Sequence, residues 1–235
     1  MNPRGEEVSN NHEQADQPIR NPQSELRNEE TPFAVLRRFV RPRADAVERC
    51  ELCSAALAEE HTHLIEPASR QIVCACEACA VLFSGKAETK YRRIQRRVRF
   101  LTDFQLTDAQ WDGLMLPIGM AFFFHSSTAG KVIALYPGPA GATESLLALD
   151  AWEDLARANP ALEELEADTE ALLVNRVRGA REYYVAPIDE CFKLVGLIRM
   201  HWRGLSGGAE VWREIDHFFA GLKAKSGAGR EVAGA

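Results

Sequence analysis

Residues 49–83 read "RCELCSAALAEEHTHLIEPASRQIVCACEACAVLF", a stretch that holds five of the chain's six cysteines within thirty positions. Two of its segments, "CELC" and "CEAC", are Cys-x-x-Cys knuckles that pair Cys50 with Cys53 and Cys76 with Cys79. Such a knuckle delivers two thiols to one side of a tight loop, and a tetrahedral zinc site needs four soft ligands at about 2.3 Å. Two knuckles therefore complete one site. The twenty-two residues between them accommodate a hairpin with strands near "THLIEP" and "RQIVCA", so residues 48–85 read as a zinc-ribbon-like module.

With Cys50, Cys53, Cys76 and Cys79 all ligating, no coordination position stays open, and the ion shapes the module instead of activating water. Zinc is the default metal. A rubredoxin-like single iron fits the same paired knuckles, because ligand identity alone does not choose between them. Cys74 is an alternate ligand, since "CAC" brings it near Cys76; its other reading is packing beside the site. His61 and His63 in "EEHTHLIEP" are substitutes for a cysteine ligand, and their competing reading is a solvated strand start.

Around this module the composition is 46% hydrophobic and 26% charged, with a net charge of −6, which is that of a globular protein and not of a fibre or a disordered polymer. No run approaches the roughly 20 apolar residues of a membrane span. The first residues lack the apolar core of a secretory signal, so a cytoplasmic location is expected. Thiols are kept reduced there, which favours metal over disulfides for clustered cysteines.

Residues 1–31 are rich in Asn, Gln, Glu and Pro and read as disordered. Phe33, Leu36 and Val40 recur at helical spacing, giving a short helix and linker over 32–47. A basic connector, 86–115, carries six Lys and Arg residues between Lys90 and Arg99. It then reaches a short helix capped at Thr107 or Asp108. An α+β domain is expected over 116–223, with a flexible tail over 224–235.

Within that domain "LPIGMAFFFHS" and "KVIALYP" flank a turn at "STAG", and "TEALLVNRV" and "REYYVAPI" flank a turn at "RGA", so two hairpins are predicted. A helix is predicted after each. The first is "ATESLLALDAWEDLARA", capped at Thr143 with Leu146, Leu147, Leu149, Trp152 and Leu155 on its apolar side. The second is "DECFKLVGLIRMHW", capped at Asp189. A shift of fifty positions lays Ala121 on Ala171, Pro137 on Pro187 and Trp152 on Trp202, the pattern of a duplicated ββα unit, with chance as its competitor. A last amphipathic helix runs through "GGAEVWREIDHFFAGLKAK".

Other residues offer less chemistry. His125 and His201 have no nucleophile motif beside them, and Cys191 near a helix start reads as buried. "GPAGATES" lacks the lysine of a phosphate-binding loop. Arg92, Arg93, Arg96 and Arg97 form a candidate basic patch for nucleic acid, against the plainer reading of a solvated face on an acidic protein.

Taken together, "CELC", "HTHLIEP", "CACEACAVLF", "LPIGMAFFFHSS", "ALYPGPAGATESLLALDAW", "VAPIDECFKLVGLIRMHWRG" and "GGAEVWREIDHFF" resemble a family of uncharacterised bacterial proteins. Its members are often encoded beside high-affinity nickel-iron uptake hydrogenases. The resemblance runs from about Arg49 to Leu222 and agrees with the four cysteine positions. It carries over no catalytic residue. What it implies is a protein partner, a hydrogenase subunit or maturation factor, and hence a non-enzymatic metal-binding accessory protein. The alternatives from the residues themselves are an iron electron carrier and a nucleic-acid-binding regulator.

Overall fold

The computed structural model describes residues 47–84, 89–146 and 149–228. The expectations for the head and for the helix at 32–47 concern residues that lie outside this set. The rest is α+β, with two antiparallel sheets.

Three strands make the smaller sheet: β1 (Thr62–Glu66), β2 (Gln71–Ala75) and β3 (Arg92–Arg93), in the order β2-β1-β3. Helix α1 (Glu77–Ser84) follows β2 directly. The larger sheet takes β4 (Arg99–Phe100), β5 (Met120–Ser126), β6 (Lys131–Gly138), β7 (Gly141–Ser145), β8 (Glu170–Asn175) and β9 (Glu182–Pro187). Their order is β4-β9-β8-β5-β6-β7. The basic connector is thus not a free linker, since β3 pairs with β1 and β4 with β9.

Both faces of the larger sheet are covered, which is why its central strands read as nearly unbroken apolar runs. One face carries Met120, Phe122, Phe124, Ile133, Leu135, Leu173 and Tyr184, packed under α4 (Ile188–His201) and α5 (Gly208–Ala228). The other carries Ala121, Phe123, Leu172, Val174 and Tyr183, packed under α2 (Asp108–Gly113) and α3 (Leu149–Ala158) with Leu155 and Leu162. Thr107 caps α2 as expected: its hydroxyl accepts from the Gln110 N–H, and the Gln110 side chain accepts from the Thr107 N–H.

β1 belongs to two cores at once. Leu64 points into the module with Val73 and Ala75, whereas Ile65 points into the main core with Ile94 and Val98. Side chains alternate along a strand, so one short strand joins the two parts of the molecule.

Several sequence expectations shift here. Both hairpins form, and their registers agree under the fifty-residue offset, Phe122 pairing with Leu135 and Leu172 with Val185. Phe122 nevertheless faces α4 and α5 while Leu172 faces α2 and α3. Each hairpin thus turns the offset-related residue away from the helix that follows it, α3 after the first and α4 after the second. "GATES" forms the edge strand β7, α3 begins only at Leu149, and Leu146 is exposed. Asp189 lies inside the first turn of α4, which Pro187 precedes. The last helix continues to Ala228, past the boundary expected at 223.

The α4–α5 turn depends on Gly207, whose φ is +86° and whose added Cβ would lie 2.8 Å from Val211 Cγ1. Gly221 is helical with nothing within 4 Å of an added Cβ. Gly207→Ala is therefore expected to destabilise the fold by more than about 1 kcal/mol. Gly221→Ala should stabilise it by about 0.5–1 kcal/mol. Parallel urea melts measure both, and equal effects of the same sign would contradict this account of the turn.

Candidate metal centre

The first knuckle is a tight reversal. Arg49 and Ala56 bridge across its base, the Cys50 N–H donates to the Ala55 carbonyl at 2.8 Å, and the Ser54 N–H donates to the Cys50 carbonyl at 2.7 Å. Ser54 takes a left-handed φ of 64° to close it. The free edge of β2 anchors this loop: the Glu51 N–H donates to the Cys74 carbonyl at 2.9 Å, and Glu51 Oε1 accepts from the Cys74 N–H at 2.8 Å. The second knuckle runs from the end of β2 into α1, where the Ala80 N–H donates to the Cys76 carbonyl at 2.9 Å.

Together they bring the sulfurs of Cys50, Cys53, Cys76 and Cys79 within 4.8 Å of one another. Cys53 and Cys76 are 3.7 Å apart. Four sulfurs about 2.3 Å from one tetrahedral ion would be about 3.8 Å apart, so the donor set fits a zinc-sized ion, and equally a single iron. None of the six cysteines is disulfide-bonded. Cys50 and Cys79 are buried at 1% and 6% exposure, while Cys53 lies at the surface.

The electrostatics of the four thiols suit a cation. Burial opposes ionisation of Cys50, but the backbone N–H groups of Cys76, Leu52 and Cys53 outweigh it and lower the thiol to about 6. Burial, and then the neighbouring Cys53, Cys76 and Cys50 sulfurs, push Cys79 up to about 12. Four crowded thiols cannot all ionise by themselves, and a divalent ion removes that conflict.

Cys74 stands elsewhere. Val73 and Ala75 point into the module core, so by alternation Cys74 turns to the opposite face. There it pairs across the strands with His63, and the ligand atoms of His61, His63 and Cys74 come within 4.8 Å of one another. The two histidines thus do not replace a cysteine of the knuckles. His63 Nδ1 lies 2.6 Å from Asp189 Oδ2, a partner 126 positions away that no local pattern in the sequence could reveal.

The arginines are distributed among acidic partners. Arg93 makes two bonds to Glu77, at 2.7 and 2.9 Å, and Arg92 pairs with the buried Asp168 at 3.2 Å. Arg96 bonds Glu60 and the His61 carbonyl, and Arg97 pairs with the buried Glu170 at 3.7 Å. Arg92 and Arg97 thus tie the connector to the larger sheet, whereas Arg93 and Arg96 bond residues of the module itself. Cys191 is fully buried on α4, and burial, with Asp189 and Glu190 nearby, raises its thiol well above the usual range.

A cysteine-knuckle module with a candidate metal centre, joined to an antiparallel sheet covered by helices, is the class this architecture defines. The chain belongs to DUF5947, a family of unknown function whose model matches residues 49–226. No curated protein and no solved structure matches it. Among the described residues, no helix is long and apolar enough to cross a membrane.

α1 buries only Cys79 and Ala80, and eight residues are too few for a helix that stands alone. If the four cysteines hold an ion, stripping it with a chelator is expected to melt α1 and the knuckles while the larger sheet persists. Circular dichroism would show a partial loss of helix, and amide exchange would accelerate over residues 50–84. Because protons compete with the ion for thiolates, release should grow as pH falls, which a chromogenic chelator can follow. Uniform exchange across the whole chain on metal removal would refute this division.

Proposed function

We propose that this protein is a metal-binding accessory factor whose four-cysteine centre holds zinc as a structural ion, and that it acts by binding another protein. The observation that carries the metal reading is the convergence of Cys50, Cys53, Cys76 and Cys79 within 4.8 Å. A closed thiolate shell leaves no position for water or substrate, so this ion fixes a shape and does not perform a reaction.

The partner is a nickel-iron hydrogenase subunit or maturation factor. Support for that choice comes from the sequence resemblance described above, which covers nearly all of the described chain. A module held rigid by an ion and stitched by ion pairs to a second core suits a docking role, because binding then costs little ordering entropy.

Two measurements test the proposal separately. Elemental analysis of purified protein should find zinc and a colourless solution, with one equivalent lost in Cys53→Ser. A red protein with thiolate-to-iron absorption would replace zinc by iron and favour electron transfer. Affinity purification from native cells should recover a hydrogenase subunit or maturation factor in stoichiometric amount. Recovery of other partners alone would sink the hydrogenase assignment and leave the metal centre standing.

A further inference from the structure

On the face of β1 and β2 turned away from the four-cysteine core, His61, His63 and Cys74 place their ligand atoms within 4.8 Å of one another. Sheet register fixes two of the three, since His63 and Cys74 are direct cross-strand partners. His61 stands two positions before His63, and the two rings meet edge to face with centroids 4.9 Å apart.

The hydrogen bonds select the nitrogen that each ring has left. His61 Nδ1 lies 3.0 Å from the Ala58 carbonyl oxygen, which can only accept, so Nδ1 carries a hydrogen and, in the neutral imidazole that binds metals, Nε2 carries the lone pair. That Nε2 is buried without a hydrogen-bond partner, on a side chain only 7% exposed. Buried polar atoms are seldom left unpaired, and a lone pair in this position is what a cation would use. His63 Nδ1 is engaged by Asp189 Oδ2 at 2.6 Å, which leaves Nε2 as its free nitrogen. A carboxylate behind an imidazole orients the ring and raises its basicity, the usual support of a metal-ligating histidine. Two carboxylates border the cluster: Glu48 Oε2 lies 3.5 Å from His61 Nδ1, and Glu51 Oε1 accepts from the Cys74 N–H at 2.8 Å.

We propose that His61, His63 and Cys74 form a second metal site, for a borderline divalent ion such as Zn2+, with three protein ligands and one coordination position open to an exogenous ligand. Zinc sites that keep such a position use three protein ligands, mixed imidazole and thiolate among them, and imidazole and thiolate both suit zinc. His63 lines a cleft of about 460 Å³ with Asp189 and Lys193, and this is the side from which an exogenous ligand would approach. The two candidate sites share no ligand, so this one is independent of the four-cysteine reading.

Zinc titration of metal-stripped, reduced full-length protein tests the proposal. Wild type should take up two equivalents. His61→Gln and Cys74→Ser should each retain one, whereas Cys53→Ser should lose the other. Asp189→Asn, which keeps all three ligands, should weaken only the affected equivalent, by about 10–100-fold. Co2+ added to protein already carrying one zinc should produce d–d bands with a thiolate charge-transfer band that Cys74→Ser abolishes. Azide should shift those bands if a position is open. Circular dichroism on each variant checks that it is folded, and the wild-type stoichiometry does not depend on any variant. Saturation of wild type at one equivalent, or two equivalents in folded His61→Gln and Cys74→Ser, would overturn the second site. Cobalt bands indifferent to azide would overturn its open position.

Discussion

The alternation of side chains across β1 and β2 is the constraint on which the rest of this structure depends. Leu64, Val73 and Ala75 face the core that receives Cys50 and Cys79. Their neighbours Ile65 and Ile72 face the core of the larger sheet. A strand slipped by one residue would exchange these sets and leave both cores without their apolar side chains. That alternation turns Cys74 toward the histidines, and it is the end of β2 at Ala75, with the chain bending into α1, that carries Cys76 back to the knuckles.

The energetic division between the two parts follows. The larger sheet is an ordinary hydrophobic construction, covered on both faces, with Phe122, Phe123, Leu172 and Leu173 fully buried at its centre. The module is too small for that, since its own buried set is six residues of which two are candidate ligands. Small domains of this kind rely on a metal to supply what burial does not. The module is also held from outside. Arg92 and Arg97 reach carboxylates that are almost wholly buried, Asp168 and Glu170, where an unpaired charge would be costly. Arg93 and Arg96 pair with exposed acids, whose contribution is small.

Much of this was legible in the sequence, and the failures have identifiable causes. The knuckles, the intervening hairpin, both hairpins of the larger sheet and the cap at Thr107 are local features, specified by spacing, turn residues and a side chain reaching its own helix. The fifty-residue offset matches the registers of the two hairpins but not the layer that each position meets, because identities do not say which way a residue points. "GATES" carries no strong local preference, and it becomes a strand because Tyr136 and Leu135 offer it an open edge. Asp189 opens a helical pattern and so reads as a cap; in the structure it lies inside the first turn, where one oxygen accepts from the Glu190 N–H and the other faces His63 across 126 positions. Arg92, Arg96 and Arg97 are exposed, as the solvated-face reading has it, but the sequence does not show which acids the arginines of 92–97 will meet.

The sequence by itself determined that four thiols would come in two pairs and that strands would precede the long helices, because Cys-x-x-Cys spacing and apolar periodicity act over a few residues. Only the tertiary structure decided that Cys74 leaves its neighbours for His61 and His63, and that the basic connector becomes a seam between two sheets. Those outcomes depend on which strands lie side by side and which face each turns inward. That is a property of the packed chain as a whole, since burial rewards the arrangement that satisfies both cores at once.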